Sequence, residues 1–418
     1  MASLPFDFFY SHIILISFAL HTFIHLKKED LKALRSLKIL ILSSVLLVTI
    51  IATAYTINLP AAFNEWTLRI PILLFPVLFS LNKLDLKKYR PNLLLALSLV
   101  CSATVFYLFA TALITIRYYH LPLSALFAEG FTNHNFAGPI NIHATFFSFQ
   151  LLIAVVNLLY LLMKGDLPSK ALKIFYAVCC LILVGGIIQL SSKSIVIILF
   201  IIVNITLPYY MLRGAARKKF MLTGLFISVI AVAGVLSIST FRERYVTLLT
   251  EDISTSKAIL RNSDSRIERW QVAARRIKDR PLIGYGSGSE VGLLKDDFYN
   301  EKLYSSYLHG LNSHNQYISF VLKSGIWGLL IYLLTIIYGI KASVKQRDVM
   351  FISFMLIITV VSFTENILDV DKGVMFYSLF FSFFIFSNTE NETVVKEELK
   401  SDDYLTSLAT KSLPVTSY

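Results

Sequence analysis

Long apolar blocks separated by short polar connections dominate the chain, and that alternation decides most of what it can fold into. Residues 40–57, 93–116, 174–190, 195–212 and 220–238 each approach the roughly 20 apolar residues that carry one helix across a bilayer core of about 30 Å. In lipid every backbone N–H and C=O must find a partner within the structure, so such blocks are expected to be helices. A β-barrel would instead show alternating strands of about 10 residues. With 56% hydrophobic and 16% charged residues among 418, a soluble fold has too little polar surface to cover itself. The expectation is an all-α polytopic membrane protein.

The basic residues give this architecture a direction. Lys27, Lys28, Lys32, Arg35 and Lys38 form one cluster, followed by Lys83, Lys87, Lys88 and Arg90, then Lys164, Lys170 and Lys173. Arg213, Arg217, Lys218 and Lys219 form the next, and Lys341, Lys345 and Arg347 the last. These clusters fall in every second connection. The connection at 56–65 has no basic residue, and 117–139 has only Arg117. That is the positive-inside pattern. It gives about 11 transmembrane helices, with the N-terminus outside and the C-terminus in the cytoplasm. The formal charge of +12 is thereby explained by topology, and nucleic acid is not an expected partner. Cys101, Cys179 and Cys180 all lie in apolar blocks without zinc spacing, so neither a disulfide framework nor a metal site is expected. No basic segment precedes the first apolar run, and no cleaved signal peptide is read there.

One connection is much longer than the rest. The chain divides into N-terminal transmembrane helices over 1–240, a large extracytoplasmic, periplasmic loop over 241–313, and C-terminal transmembrane helices over 314–388. A polar tail over 389–418 reads as disordered and cytoplasmic. A loop of that length without structure of its own is uncommon unless it has a function. Short helices are expected in it. Ser265-Arg266-Ile267-Glu268 reads as a capping box. Trp270, Ala273, Ala274 and Ile277 then fall on one helical face, while Arg266, Arg269, Arg276 and Arg280 lie elsewhere on the cylinder. Pro281 ends the helix, and Gly284, Gly286 and Gly288 form a flexible turn. A nucleotide cradle would need a strand before the glycines and a helix after them. Here they follow a helix, so that reading is rejected.

Two readings stay open at each loop arginine. It either solvates a face and meets lipid phosphates, or it grips a phosphorylated substrate with its planar guanidinium. The same choice applies to His314, which sits where the loop enters the apolar run 318–334. It is either an interfacial polar group or a residue that exchanges protons near neutral pH. Asn312 or Ser313 is expected to cap the helix that follows.

Taken together, two segments resemble the O-antigen ligase and polymerase family. Ser265-Arg266-Ile267-Glu268-Arg269-Trp270 followed by Pro281-Leu282-Ile283-Gly284-Tyr285-Gly286 is similar to its Arg-x-x-x-Trp helix and Pro-Leu-x-Gly-x-Gly turn. His314-Asn315-Gln316-Tyr317 followed by Gly325-Ile326-Trp327-Gly328 is similar to its His-Asn helix start and Gly-x-x-Gly. The resemblance covers roughly residues 265–330. Ile142-His143-Ala144-Thr145 and Thr364-Glu365-Asn366 give weaker echoes at the outer ends of other spans.

The resemblance implies a multi-pass enzyme of the bacterial inner membrane working on the periplasmic side. It moves a glycan from an undecaprenyl-diphosphate carrier to an acceptor hydroxyl. Beside the resemblance, no Asp-rich pair suggests a metal, Asp296-Asp297 lying in an undistinguished stretch, and no cofactor is expected. Direct attack by the acceptor inverts the anomeric centre, so a metal-independent inverting glycosyltransferase is expected. The resemblance also implies that Arg266 engages the donor diphosphate and that His314 is the essential histidine. Lys193, Arg269, Arg69, His143 and Glu365 are the further substrate-binding candidates. Lys193, in Ser192-Lys193-Ser194, stands where the family often has Ser-Arg-Gly, which keeps the charge but loses the two-pronged fork. Lys323 stands where an acidic residue is common, about nine residues or some 13 Å into the helix after His314. It is expected to line the donor path or pair with Glu365. A ligase uses lipid A–core as acceptor. The alternatives are an O-antigen or exopolysaccharide polymerase, a protein O-oligosaccharyltransferase and a transporter of lipid-linked sugars. No internal repeat of the transporter kind is present.

Overall fold

The computed structural model describes residues 1–6, 8–165, 167–253 and 264–387, so the tail read as disordered lies outside the described residues. Among the described residues the chain is helical, with no strand. Seven helices are long and apolar enough to cross a membrane: Leu59–Leu81, Leu86–Tyr118, Ala144–Lys164, Lys170–Leu190, Lys193–Met211, Gly214–Ser237 and Gln316–Lys345. Phe9–Ile24, Leu37–Thr53 and Val349–Val361 are apolar but shorter, as is the 16-residue helix Asp371–Phe386. The seven long helices account for part of the about 11 spans expected from sequence, and the remainder of that figure rests on these four shorter ones.

Ala144–Lys164 is the central helix. Every residue from Phe146 to Leu158 is buried, and it packs against Leu86–Tyr118, Lys170–Leu190 and Val349–Val361. Because lipid is as apolar as leucine, close packing rather than water exclusion holds such a bundle together. Phe351, Phe354, Phe376, Phe380, Phe381 and Phe384 provide it on one side, with ring centroids 4.6–6.4 Å apart. Gly214–Ser237 is the opposite case, an apolar helix with no buried residue.

The loop region has its own small core. Helices Arg266–Asp279, Glu290–Asn300 and Tyr304–Leu308 enclose Val272, Ala273, Leu294, Phe298 and Leu303, which close over Leu322 of the Gln316–Lys345 helix. Arg276 and Asp297 fasten two of these helices through a bidentate pair, Nε–Oδ2 2.5 Å and Nη2–Oδ1 2.6 Å. The buried face of the first loop helix is Arg269, Val272 and Ala273. Ala274, expected on that face, is exposed, and Val272 takes the place beside Ala273. The docking partner is protein on that side, so burial follows the neighbouring helices rather than the widest apolar arc.

The glycines after Pro281 form no flexible turn. The Gln316–Lys345 helix breaks at Gly325, with φ 64° and ψ −163°, a conformation essentially confined to glycine. The break takes helical donors from the Leu322 and Lys323 carbonyls. The amides of Tyr285 and Gly286 replace them at 2.8 Å each, while the Ile326 amide donates to the Pro281 carbonyl at 2.9 Å. A Cβ on Gly325 would overlap the Leu282 carbonyl, and one on Gly284 the Leu322 carbonyl. Ser287 continues the clasp, its Oγ donating to the Thr49 carbonyl at 2.6 Å. Loop and broken helix thus supply each other's missing hydrogen bonds.

Candidate functional site

Local capping sets the two residues singled out first. Ser265 Oγ accepts the Glu268 amide at 3.1 Å and Glu268 Oε2 accepts the Ser265 amide at 3.1 Å, the full capping box. That places Arg266 in the first turn of its helix. One turn on, Trp270 Nε1 donates to the Ser313 carbonyl at 2.9 Å, bringing this end of the helix against the chain at His314.

His314 holds a left-handed backbone, φ 48°, uncommon for a residue with a Cβ. Both flanks are clamped. Ser313 donates through its amide and Oγ to Glu290 Oε1, at 2.9 and 2.7 Å. The Asn315 amide donates to Asn366 Oδ1 at 2.7 Å. The helix cap is Asn315, whose Oδ1 accepts the Tyr317 and Ile318 amides at 3.0 and 3.2 Å. Asn312 and Ser313 were expected there, but Asn312 Oδ1 is occupied by the His314 amide at 2.9 Å and Ser313 by Glu290.

Glu365 joins the two motifs. One carboxylate oxygen lies 3.1 Å from His314 Nδ1, the other 3.6 Å from Arg266 Nη2. Burial alone would raise the Glu365 pKa. The hydrogen bond from His314, then its charge and that of Arg266, outweigh burial and hold the carboxyl below its ordinary value. An ionised carboxylate at Nδ1 fixes the imidazole tautomer, with the proton on Nδ1 and the lone pair on Nε2. The side chains are 23%, 28% and 18% exposed for Arg266, His314 and Glu365, so the group is accessible without being open surface.

Lys193 begins the helix Lys193–Ile201, and its neighbour Ser194 shares a hydrogen bond of 2.8 Å with Thr364, next to Glu365. His143 occupies the N-cap position of the helix Ala144–Lys164, without a capping bond from its side chain. Its ring meets that of His134, centroids 4.1 Å apart. Burial, then the charge of His134, pushes His143 down to about 4, with Glu365 and His314 also close enough to act on it. His134 is lowered too, by burial and then by Arg244. Arg244 donates from Nε to the Ser191 carbonyl at 3.1 Å, two residues before Lys193.

Arg69 lies elsewhere, in a buried ionic cluster behind this group. It is 1% exposed and reaches Glu65 at 2.6 Å, Asp369 at 2.7 Å, Thr49 Oγ1 at 2.6 Å and the Leu368 carbonyl at 3.1 Å. Lys323 joins the same cluster, 2.8 Å from Asp369, 3.3 Å from Glu65 and 3.5 Å from Glu290. The expected pairing of Lys323 with Glu365 is therefore corrected. Asp369 is nearer and has no histidine to serve. Burial would raise the Asp369 pKa, but Lys323 and then Arg69 hold it well below the ordinary carboxylate range. Asn366 Nδ2 bridges Asp369, at 2.9 Å, to Glu290, at 3.2 Å. Arg269 is buried on the inner face of its helix.

The structure thus brings Arg266, His314 and Glu365 together, with Lys193 and His143 on adjoining segments. It sets Arg69 apart. Glu290, Asp369, Glu65, His134 and Arg244 are not among the candidates read from sequence, where Asn366 enters only through the echo Thr364-Glu365-Asn366. Only His134 carried a visible signal, a histidine between two asparagines in a connection bare of lysine. Among the described residues no three of His, Cys, Asp and Glu converge so as to hold a metal ion.

The family model described as O-antigen ligase matches residues 177–333. That stretch contains Lys193, Arg244, the loop helices, Glu290, His314 and the broken helix through Gly325. Glu365, Asp369, His143 and Arg69 lie outside it. No curated protein matches the chain.

Proposed function

We propose that this chain, which carries an O-antigen ligase family domain across residues 177–333, transfers a glycan from undecaprenyl diphosphate to a hydroxyl of lipid A–core at the periplasmic face of the inner membrane. A membrane glycosyltransferase of the ligase and polymerase type is the coarser statement on which this rests. The observation that carries the reading is Glu365, one carboxylate facing both the His314 imidazole and the Arg266 guanidinium.

The chemistry follows from that arrangement. The sugar–diphosphate bond already stores the driving force, so no further energy source enters. Glu365 keeps the Nδ1 proton of His314 in place, and Nε2 accepts the proton of the acceptor hydroxyl. The acceptor oxygen forms its bond to the anomeric carbon from the face opposite the diphosphate. The anomeric C–O bond breaks, and its electron pair leaves on the diphosphate. Direct displacement inverts the anomeric centre. Negative charge grows on the leaving oxygen, where fixed cations in a poorly hydrated site lower the barrier most. Arg266 is the first such cation, and Lys193, with Arg244 near it, the second. Arg266 is 3.6 Å from Glu365, longer than a hydrogen bond, so this carboxylate holds it less firmly than a well-placed diphosphate would.

The test is transfer by the purified protein in nanodiscs, with the lipid-linked glycan as donor and lipid A–core as acceptor. Arg266→Ala and His314→Ala are each expected to abolish transfer while membrane insertion is unchanged. Full transfer in either variant overturns the assignment. Transfer to a second lipid-linked glycan but not to lipid A–core would make the protein a polymerase.

A further inference from the structure

The buried ionic cluster and the group at His314 are joined, and the joint is Glu290. This residue stands in the first turn of the helix Glu290–Asn300 and is 1% exposed. The turn before it is tied down. Gly288 donates its amide to Glu65 at 2.6 Å, and Ser289 Oγ donates to the Gly286 carbonyl at 2.6 Å. Among the described residues, every hydrogen-bond partner of the Glu290 carboxylate is a donor. Oε1 takes the Ser313 amide and hydroxyl, Oε2 takes Ser319 Oγ and lies 3.5 Å from Lys323 Nζ, and Asn366 Nδ2 reaches both oxygens. An ionised carboxylate offers about four lone-pair positions and no proton of its own, which suits such a shell.

Asn366 is oriented by its surroundings. The Asn315 amide can only donate, so Oδ1 must face it, at 2.7 Å. Nδ2 is thereby turned to Glu290 and Asp369, which accept it at 3.2 and 2.9 Å. Glu290 thus holds the residue before His314 and Asn366 the residue after it, while the two hold each other. The Ser313 carbonyl is taken as well, by Trp270 Nε1 at 2.9 Å. Between these fixed points His314 keeps its left-handed backbone, φ 48°. A residue with a Cβ stays there only where its surroundings over-determine it. The helix that follows is already capped by Asn315 Oδ1. The clamps on the Ser313 and Asn315 amides lie outside that cap and fix how the chain turns through His314.

We propose that Glu290 and Asn366 are positioning residues for the transfer reaction. They hold the His314 backbone so that Nδ1 meets Glu365 and Nε2 is presented to the acceptor hydroxyl. Neither touches substrate. The inference rests on the transfer reading above and adds to it residues that reading does not use.

The experiment is transfer in nanodiscs, with the undecaprenyl-diphosphate-linked glycan as donor. The acceptor is the one wild type uses, lipid A–core lacking its O-chain or a second lipid-linked glycan, and both substrates are titrated. Glu290→Gln keeps the shape but sets an NH2 against Ser319, Asn366 and Lys323, or against Ser313 if turned round. A displacement of about 1 Å at the imidazole costs about 10²-fold in rate. The kcat should fall by about that factor, with both KM values within about twofold of wild type. Asn366→Asp, which puts a further carboxylate beside Glu290 and Asp369, should act in the same way. Ser313→Ala removes only the hydroxyl arm of the clamp and should lower kcat about fivefold, the worth of one hydrogen bond. Glu290→Gln/His314→Asn separates positioning from folding. Once the imidazole is gone there is nothing to position, so this double variant should be as fast as His314→Asn alone. A residue that merely stabilises the fold would slow both backgrounds alike. An unchanged kcat in Glu290→Gln and Ser313→Ala, a loss of equal size with and without His314, or a rise in donor KM in place of the fall in kcat overturns the inference. If Glu290→Gln yields no folded protein, Ser313→Ala and Ser313→Ala/His314→Asn decide by the same criteria. Wild type that transfers to neither acceptor defeats the transfer reading itself, a result distinct from variants that keep the wild-type kcat.

Discussion

Glu365→Gln isolates the part of the site on which the chemistry turns. The change keeps the shape of the side chain and an oxygen that can accept from His314 Nδ1, and it removes the negative charge. A hydrogen bond to a charged group contributes about 1.5–3 kcal/mol and a neutral one about 1 kcal/mol. The difference, about 0.5–2 kcal/mol, is what the ionised carboxylate adds in holding the imidazole tautomer and stabilising the imidazolium that forms as the proton moves. His314 is 28% and Glu365 18% exposed, so solvent screens part of this and the lower half of the range applies. The predicted loss is about fivefold in the rate of the chemical step. Removing the base itself, in His314→Asn, should cost about 10²–10⁴-fold. The assay is a single-turnover transfer of labelled glycan, quenched over time, so that product release does not mask chemistry. Because Glu365 acts through His314, Glu365→Gln/His314→Asn should be no slower than His314→Asn alone. A single-turnover rate for Glu365→Gln within about twofold of wild type, or losses that multiply in the double variant, would refute the coupling.

Two further variants probe what stands behind the site. Lys323→Met removes the cation shared by Asp369, Glu65 and Glu290 and leaves Arg69 paired with Glu65 and Asp369, and breaking a buried charge network of this kind costs about 3–5 kcal/mol. A lowered unfolding midpoint in detergent is expected, and an unchanged midpoint would show the cluster to be dispensable. Gly325→Ala must abandon a backbone conformation costing other residues about 1–3 kcal/mol and must also displace the Leu282 carbonyl. A fall in the amount of folded protein extracted from membranes is the outcome to look for, and wild-type yield and melting would contradict the clasp.

Features governed by neighbours in sequence were legible before the structure, and those set by the meeting of distant segments were not. The helix over Arg266–Asp279 could be read from Ser265, Glu268 and Pro281, since a capping box and a proline act within one turn. The apolar blocks could be read as helices because lipid leaves the backbone no alternative. Lys323 was recognised as a costly charge at depth, but its partners lie 46 and 258 positions away, and only the folded chain says which carboxylates arrive. The same holds for Glu290, which clamps Ser313 across 23 positions. The sequence points to Asn312 or Ser313 as the cap, up to three residues before the Asn315 that fills the position, because all three are competent caps. The choice was made by Glu290 and Asn366, both outside the segment. His134 lies in a connection whose strongest sequence signal is its lack of lysine, and that signal speaks to topology, not to chemistry.

The mutual dependence of Pro281–Gly286 and Gly325 constrains anyone who would re-engineer the chain. The donors that mend the helix are translated some forty positions before the carbonyls that need them, and neither piece has a satisfactory backbone without the other. A chimera that imports the loop of a relative must import its matching stretch of membrane helix in the same exchange. Libraries that diversify one half alone should return mostly protein that never leaves the insertion machinery intact.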